Sequence, residues 1–182
     1  MDAEPLRYRA GFLAPPEAAR LYRELLDSVR WHEEWIHLYG RRVRVPRLLA
    51  WFGDRGLNYR YAGRDHPADG WPAALADVRR RLESTLRLPF NFVLLNRYRN
   101  GGDYMGWHTD DERDHGRWVA SLSLGAARRF LVRLEGEERS RQLDLTDGSL
   151  LVMDGRLRHS LPRTRRPVGE RLNLTFRQVL PS

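Results

Sequence analysis

The sequence predicts an α+β fold in which helices support a double-sheet jelly roll or barrel. Two helical patterns fill its first half, several short alternating segments fill its second half, and turn signals separate those segments. A chain of 182 residues fits one domain with a sizeable core. We therefore expect a single domain over residues 1–182.

Two amphipathic helices are predicted before residue 90. The first begins at Pro15 and Pro16, since proline suits the first turn of a helix. The second begins near Pro72 and ends before Pro89. Their apolar stripes are Leu21, Leu25 and Val29, and Leu75, Val78, Leu82 and Leu86.

From Phe90 onward the apolar period changes to two, which is typical of strands. Further strands are predicted at residues 118–124, 129–134, 149–153 and 171–179. Turn signals lie at residues 100–102, 136, 147–148 and 154–155. Many short strands with such turns favour a two-sheet β core over residues 90–182.

Charge and cysteine content limit the classes of function. The net charge of +8 makes a polyanionic partner plausible, although charge alone slightly favours an ordinary basic protein. With no cysteine, the chain has no disulfides or thiolate zinc sites, so any metal must be held by histidine and carboxylate. No segment approaches the ~18 apolar residues of a membrane span, so we expect a cytoplasmic protein without a membrane partner.

Three residues form a candidate metal site. His108 and Asp110 are two apart, so on a strand both would face one ion, and His159 could approach from a neighbouring strand. Two imidazoles and one carboxylate leave an Fe(II) ion with open positions for O2 and a co-substrate. Such a pair alone is weak support, and we expect the remaining histidines to be structural or exposed.

The last strand adds a second signal. Arg171, Asn173, Thr175 and Arg177 alternate with three apolar residues, a pattern that also fits a half-exposed strand with its arginines in water. Six residues at ~3.3 Å rise separate Arg171 and Arg177 by ~20 Å, and side chains reaching inward would leave a gap of about 7 Å. That gap matches a five-carbon dicarboxylic acid. Asn96 and Tyr98, also two apart, could hydrogen-bond the same ligand.

Together, four motifs resemble the AlkB family of Fe(II)- and 2-oxoglutarate-dependent dioxygenases, particularly its DNA alkylation-repair members. The motifs are residues 96–98, 108–112, 158–162 and 171–177, and the similarity runs from about residue 36 to residue 179. The resemblance implies a double-stranded β-helix with His108, Asp110 and His159 as iron ligands. It implies that 2-oxoglutarate is bound by Asn96, Tyr98, Arg171, Thr175 and Arg177. Residues 1–89 would then carry the helices and nucleotide-recognition hairpins, and residues 90–182 the catalytic jelly roll.

The implied reaction is oxidative demethylation of bases such as N1-methyladenine and N3-methylcytosine in DNA. It consumes O2 and 2-oxoglutarate and releases succinate, carbon dioxide and formaldehyde. An RNA or protein demethylase or hydroxylase would share the same iron chemistry. Two further alternatives are a catalytically silent nucleic-acid-binding module and a cupin-like metal enzyme.

The resemblance also implies substrate contacts. A methylated base must leave the duplex or come from a single strand. Tyr59 and Tyr61, which flank Arg60, match positions that contact the extruded base, although core tyrosines of a hairpin fit equally well. Asp111 and Glu112 could contact the base, or be surface acids. Tyr39, with Gly40 and Arg41, matches a hairpin that wedges into duplexes, against the alternative of an ordinary basic hairpin. The expected partner is alkylated DNA, double- or single-stranded, with RNA as an alternative, and the expected protein is a monomer.

Overall fold

The computed structural model describes residues 4–38, 40–61, 64–111 and 115–180, and the side chains at these positions except 37, 38, 60, 61 and 64. The described residues form two helices and thirteen strands. In chain order these are β1 (Leu6–Arg9), α1 (Pro15–Ser28), β2 (His32–Leu38), β3 (Arg41–Gly53), β4 (Asn58–Tyr61), β5 (Arg64–Pro67), α2 (Ala73–Leu86), β6 (Phe92–Tyr98), β7 (Met105–His108), β8 (Trp118–Gly125), β9 (Arg128–Arg133), β10 (Arg141–Leu145), β11 (Leu150–Asp154), β12 (Arg158–Leu161) and β13 (Arg171–Arg177).

The strands form two larger antiparallel sheets and one hairpin. The main sheet has seven strands in the order β1-β11-β8-β13-β6-β3-β2, and the smaller sheet has four in the order β10-β9-β12-β7. Strands β4 and β5 pair only with each other. The predicted α+β jelly roll is therefore confirmed. Strands from both halves of the chain share the main sheet, because β1 pairs with β11 and β3 pairs with β6.

Both predicted helices are present. Proline occupies the start of α1, where its missing N–H has no helical partner to lose. Helix α2 ends at Leu86, and the next residue, Arg87, has a left-handed backbone (φ 58°) just before the predicted stop at Pro89. Their buried stripes are Ala18, Leu21 and Leu25, and Leu75, Val78 and Leu82. These stripes join the main hydrophobic core against the main sheet.

Strand β13 separates two different environments. Its apolar residues, Leu172, Leu174 and Phe176, belong to the core that includes both helices. Its polar residues are also buried, so all seven residues of the strand are buried. The alternative of a half-exposed strand is therefore wrong: the polar face is covered, although period alone cannot show this.

The smaller sheet contributes its own core, which includes Phe130, Val132 and Leu161. Alternation of apolar residues did not predict β1, β10 and β12, because each of these strands has only four or five residues. Within the described ranges, no helix is long and apolar enough to cross a membrane.

Candidate active site

The three predicted metal ligands converge between the two sheets. His108 at the end of β7 pairs directly with His159 on β12, and their ring centroids are 4.1 Å apart. The carboxylate oxygens of Asp110 lie 3.6 Å from His108 Nε2 and 3.5 Å from His159 Nε2. Ligand atoms of the three residues all lie within 4.8 Å of one another. One ion could therefore be bound by all three.

Asp110 reaches the site from a loop, whereas its spacing from His108 predicted that both lie on one strand face. Strand β7 ends at His108, so Asp110 lies in the following loop and is not on the same strand face. Its backbone N–H donates to the Gly155 carbonyl at 2.7 Å. A Cβ at Gly155 would lie 2.8 Å from the Asp110 carbonyl oxygen, so only glycine permits this approach. The glycine was predicted only as a turn residue.

Backbone carbonyls orient both histidines. Nδ1 of His108 lies 2.8 Å from the Gly106 carbonyl, and Nδ1 of His159 lies 2.8 Å from the Leu157 carbonyl. A carbonyl can only accept, so each Nδ1 carries the proton and donates it. With Nδ1 as the donor, Nε2 of each ring faces the space beside Asp110, which is the orientation of metal-ligating histidines.

The electrostatics keep Asp110 and His108 deprotonated. Burial alone raises the pKa of Asp110, but the Arg177 guanidinium at 2.8 Å and then His159 outweigh it and hold that pKa well below its usual range. Burial, followed by the neighbouring His159, lowers the pKa of His108 to about 4. At neutral pH the site therefore offers a carboxylate and a neutral imidazole at His108. Two histidine nitrogens and one carboxylate, without sulfur, fit Fe(II).

A pocket between the sheets contains the metal and co-substrate candidates together. Its empty space, counted together with the open mouth, is about 530 Å³. The predicted residues that line it are Asn96, Tyr98, His108, Asp110, His159, Arg171, Thr175 and Arg177. Apolar side chains complete its wall, namely Leu94, Met105, Phe130, Leu145, Met153 and Leu161.

Arg171 marks the end of the pocket farther from the metal ligands. Its side chain donates to Ser123 Oγ at 2.9 Å and lies 5.3 Å from the centroid of the Tyr98 ring. Burial lowers the pKa of Arg171 to about 10, which still leaves it charged at neutral pH. Within the described part of the chain, its Nε is buried without a hydrogen-bond partner, and its charge is not paired with a carboxylate. A buried cation with a spare donor fits one carboxylate of 2-oxoglutarate.

A hydrogen-bonded network lies along the polar face of β13 between these two ends of the pocket. Asn173 Nδ2 donates to Ser121 Oγ at 2.7 Å, and Thr175 Oγ1 donates to Asn173 Oδ1 at 2.9 Å. Asn96 accepts a 2.7 Å hydrogen bond from Nε of Arg47, a buried residue of β3. No sequence pattern predicted a site role for Ser121, Ser123 or Arg47. An arginine within the apolar run 45–52 was the available signal for Arg47.

The predicted substrate contacts are placed less uniformly. Tyr59 is fully buried and stacks on Phe92 and His115 at centroid distances of 4.2 and 5.1 Å, which agrees with the core-tyrosine alternative. Asp111 is exposed and accepts a hydrogen bond from Thr109.

The remaining predicted contacts involve the hairpins and the loop after Asp111. Gly40 occupies a turn with φ +73°, and Arg41 is exposed at the start of β3. Tyr39 and Glu112 lie outside the described residues. The backbone of Arg60 and Tyr61 belongs to β4, and the described part of the structure does not include their side chains.

The fold and site together are those of a jelly-roll oxygenase in which two histidines and an aspartate could bind one metal ion. The family model described as the 2OG-Fe(II) oxygenase superfamily matches residues 5–177. The chain therefore belongs to this superfamily and is an Fe(II)/2-oxoglutarate-dependent dioxygenase that uses O2. The predictions of family, enzyme class and cofactors are confirmed.

Relatives with known names support the same placement. The chain is 37% identical to mouse DNA oxidative demethylase ALKBH2, over 91% of this chain and 77% of that protein. It is 36% identical to human DNA oxidative demethylase ALKBH2, over 90% of this chain and 69% of that one. Human alpha-ketoglutarate-dependent dioxygenase alkB homolog 3 is 32% identical, over 94% and 65%. A solved structure of OsALKBH1 shares the fold, with a TM-score of 0.65 and 18% identity over 97% of this chain and 99% of that one.

Proposed function

We propose that the protein removes methyl groups oxidatively from N-alkylated DNA bases of the N1-methyladenine and N3-methylcytosine type, which is direct reversal of DNA damage. The observation that carries the proposal is one pocket containing the metal ligands and the buried, arginine-lined face of β13. The names of the mouse and human ALKBH2 relatives support DNA as the substrate.

The proposed co-substrate lies along the polar face of β13. Arg171, beside Tyr98, would bind one carboxylate of 2-oxoglutarate, and Arg177, which already contacts Asp110, would lie beside the carboxylate nearer the metal. Asn96 and Thr175 lie between them in the same pocket, where Nδ2 of Asn96 would donate a hydrogen bond to the ligand. Because both arginines are buried, they would bind a dicarboxylate more strongly than exposed arginines would.

Fe(II) bound by His108, Asp110 and His159 would activate O2. One oxygen atom would oxidise 2-oxoglutarate to succinate and carbon dioxide, and the other would hydroxylate the N-methyl carbon. The N-hydroxymethyl product is unstable and releases formaldehyde, which leaves the unmodified base. The protein orients the ligands through the Gly106 and Leu157 carbonyls. Its apolar wall, which includes Phe130 and Leu161, keeps water away from the reacting groups.

The hairpin of β2 and β3 supports contact with DNA. Trp35 and Val43 are each about two-fifths exposed, at 40% and 41%. The Arg42 guanidinium lies 4.9 Å from the Trp35 ring centroid. An apolar hairpin edge next to arginines suits a protein element that enters a base stack while cations hold phosphates. The predicted wedge residue Tyr39 lies between these two strands in the sequence.

A substrate panel tests the proposal. The protein would be mixed anaerobically with Fe(II), 2-oxoglutarate and one substrate, and then exposed to O2. Matched oligonucleotides would carry N1-methyladenine in single-stranded DNA, duplex DNA or RNA, and a methylated peptide would complete the set. We expect equal amounts of formaldehyde and repaired base from DNA. Turnover of RNA or peptide without DNA would replace the proposed substrate while leaving the oxygenase chemistry intact.

The proposal includes a cytoplasmic, monomeric enzyme without a membrane partner. Cell fractionation and light scattering test these points.

A further inference from the structure

The outer face of the smaller sheet carries an unusual set of side chains. On β9 and β12 the inward residues, including Val132 and His159, are buried. The alternate residues Arg133 and Arg158 are exposed. Trp107, next to His108 on the edge strand β7, is 41% exposed. We call Trp107, Arg133 and Arg158 the outer arginine–tryptophan surface.

Two like charges oppose each other in this surface. Arg133 and Arg158 are direct partners in the antiparallel register of β9 and β12. Like charges placed opposite each other on one sheet face destabilise the pairing. Neither arginine has a carboxylate within ion-pair distance among the residues that the structure describes. An anion between them would relieve the repulsion.

Trp107 adds an aromatic surface beside this pair. The Arg133 guanidinium carbon lies 5.6 Å from the Trp107 ring centroid, which joins the ring to the cationic pair. Large exposed aromatic side chains next to arginines are typical of sites where unpaired bases stack and phosphates bind. An anion alone would need no aromatic ring at this position.

The surface also connects with the active centre. Arg133 and Arg158 line a groove whose other basic residues are Arg117 and Arg156. Those two arginines also line a second pocket, which includes Asp110 and Asp111. The groove contains the acids Glu135, Glu137 and Asp154 as well. Asp154 is bonded to Arg117 and Arg156, and Glu137 is bonded to Arg141. Among the described residues of the groove, Arg133 and Arg158 are the arginines without an ion-pair partner, and Glu135 is the acid without one. Two cations against one acid leave the groove a net positive charge for an external anion.

We propose that the outer arginine–tryptophan surface binds a single-stranded stretch of the nucleic-acid substrate beside the target nucleotide. A backbone phosphate bridges Arg133 and Arg158, and an unpaired base stacks on Trp107. The groove then leads the strand past Arg117 and Arg156 toward the metal ligands. This inference rests on the proposed function in assuming a nucleic-acid substrate.

Equilibrium binding of a fluorescent single-stranded DNA oligonucleotide tests the surface independently of turnover. Arg133→Gln with Arg158→Gln should lower the magnitude of the slope of log K against log salt by about 0.7, since the two arginines together hold one phosphate and each phosphate contact on a single strand contributes about 0.7. Arg20→Gln with Arg23→Gln on α1 makes the same change in net charge and should leave that slope close to wild type. Equal loss in both double variants would contradict a specific contact.

Trp107→Ala should weaken binding of the single strand by about fivefold to a hundredfold, whereas Trp107→Phe should retain most of the affinity. The ratio of kcat/KM on a long methylated oligonucleotide to that on a methylated trinucleotide should also fall in Trp107→Ala. Unchanged affinity in Trp107→Ala, or a loss confined to duplex DNA, would overturn the proposal. If the wild type binds the strand but turns over neither substrate, the proposed function fails while the surface stands.

Discussion

The arginines inside the pocket and those on the outer surface of the smaller sheet have opposite surroundings. Arg171 and Arg177 are almost fully buried, and Ser123 and Asp110 fix their positions. Arg133 and Arg158 are exposed and face each other without an ion-pair partner in the described structure. A buried arginine that is held in one position can bind a small ligand whose length matches the distance to the second arginine. Exposure leaves its charge available to a mobile polyanion whose binding depends on salt.

The largest expected effect follows from removing the Asp110 carboxylate, which balances the charge of the buried Arg177 beside the metal ligands. Asp110→Asn removes a metal ligand and leaves Arg177 opposite a neutral amide, so turnover should fall to background. Breaking a buried ion pair from one side costs about 3–5 kcal/mol, which urea denaturation would detect. Asp111→Asn, the same change at the neighbouring exposed position, should leave the free energy of unfolding close to wild type. Wild-type turnover in Asp110→Asn would exclude Asp110 as a ligand.

The next effect sharpens the account of the buried arginine at the far end. Arg171→Lys keeps the positive charge but loses the planar fork of donors, so the KM for 2-oxoglutarate should rise about tenfold to a hundredfold. Steady-state assays at varied 2-oxoglutarate and saturating oligonucleotide measure this change. Arg23→Lys on α1 is the matched control. An unchanged KM in Arg171→Lys would mean that the ligand does not reach this arginine.

The exposed groove permits a test by pH. Asp154 is buried, and hydrogen bonds from Arg156, together with those from Arg117, hold its pKa well below the usual range despite the opposing effect of burial. A lowered folded-state pKa contributes stability above the unfolded-state pKa of about 3.9, and that contribution is lost as pH falls through the folded-state value. Asp154→Asn should therefore cost about 1.5 kcal/mol at pH 7, and the deficit should shrink below about pH 4.

Thermal or urea unfolding of both proteins across this pH range measures the difference. A deficit that stays constant down to the lowest pH would show that the Asp154 charge is not its source. Asp144→Asn on β10 of the smaller sheet provides the control for removing an exposed carboxylate.

The smallest expected effect concerns Arg47, which acts through Asn96 and is a positioning residue. Arg47→Lys should raise the KM for 2-oxoglutarate a few-fold, consistent with losing about 1 kcal/mol from one hydrogen bond. Once Asn96→Ala has removed the hydrogen-bond partner, Arg47→Lys should raise the KM little further, so the double variant should have nearly the KM of Asn96→Ala alone. Fully additive losses would show that Arg47 does not act through Asn96.

Local pattern was sufficient to predict the helices and the last strand. Leu21 and Leu25 in α1, and Leu75 and Leu82 in α2, are buried as their spacing predicts, because periodicity directly reports which face of a helix meets the core. The alternation along β13 separated its polar residues from its apolar ones. It could not show that Arg171 and Asn173 are buried, because a second sheet from distant parts of the chain covers them.

The site was predicted from residue types more reliably than from strand geometry. His108, Asp110 and His159 come together, although Asp110 follows β7 and depends on Gly155 for its position. Ser123 and Arg47 were missed because their partners are 48 and 49 residues away in sequence. Trp107 and the opposed arginines were also missed, since only the strand register places Arg133 opposite Arg158.

The central claim is that the pocket between the sheets couples 2-oxoglutarate oxidation to demethylation of a DNA base at His108, Asp110 and His159. The most direct test compares wild type with His108→Ala on one methylated DNA oligonucleotide, measuring succinate, formaldehyde and repaired base together with DNA affinity. The account predicts equal amounts of the three products from wild type, and none from His108→Ala despite retained DNA binding. Wild-type turnover by His108→Ala would contradict it.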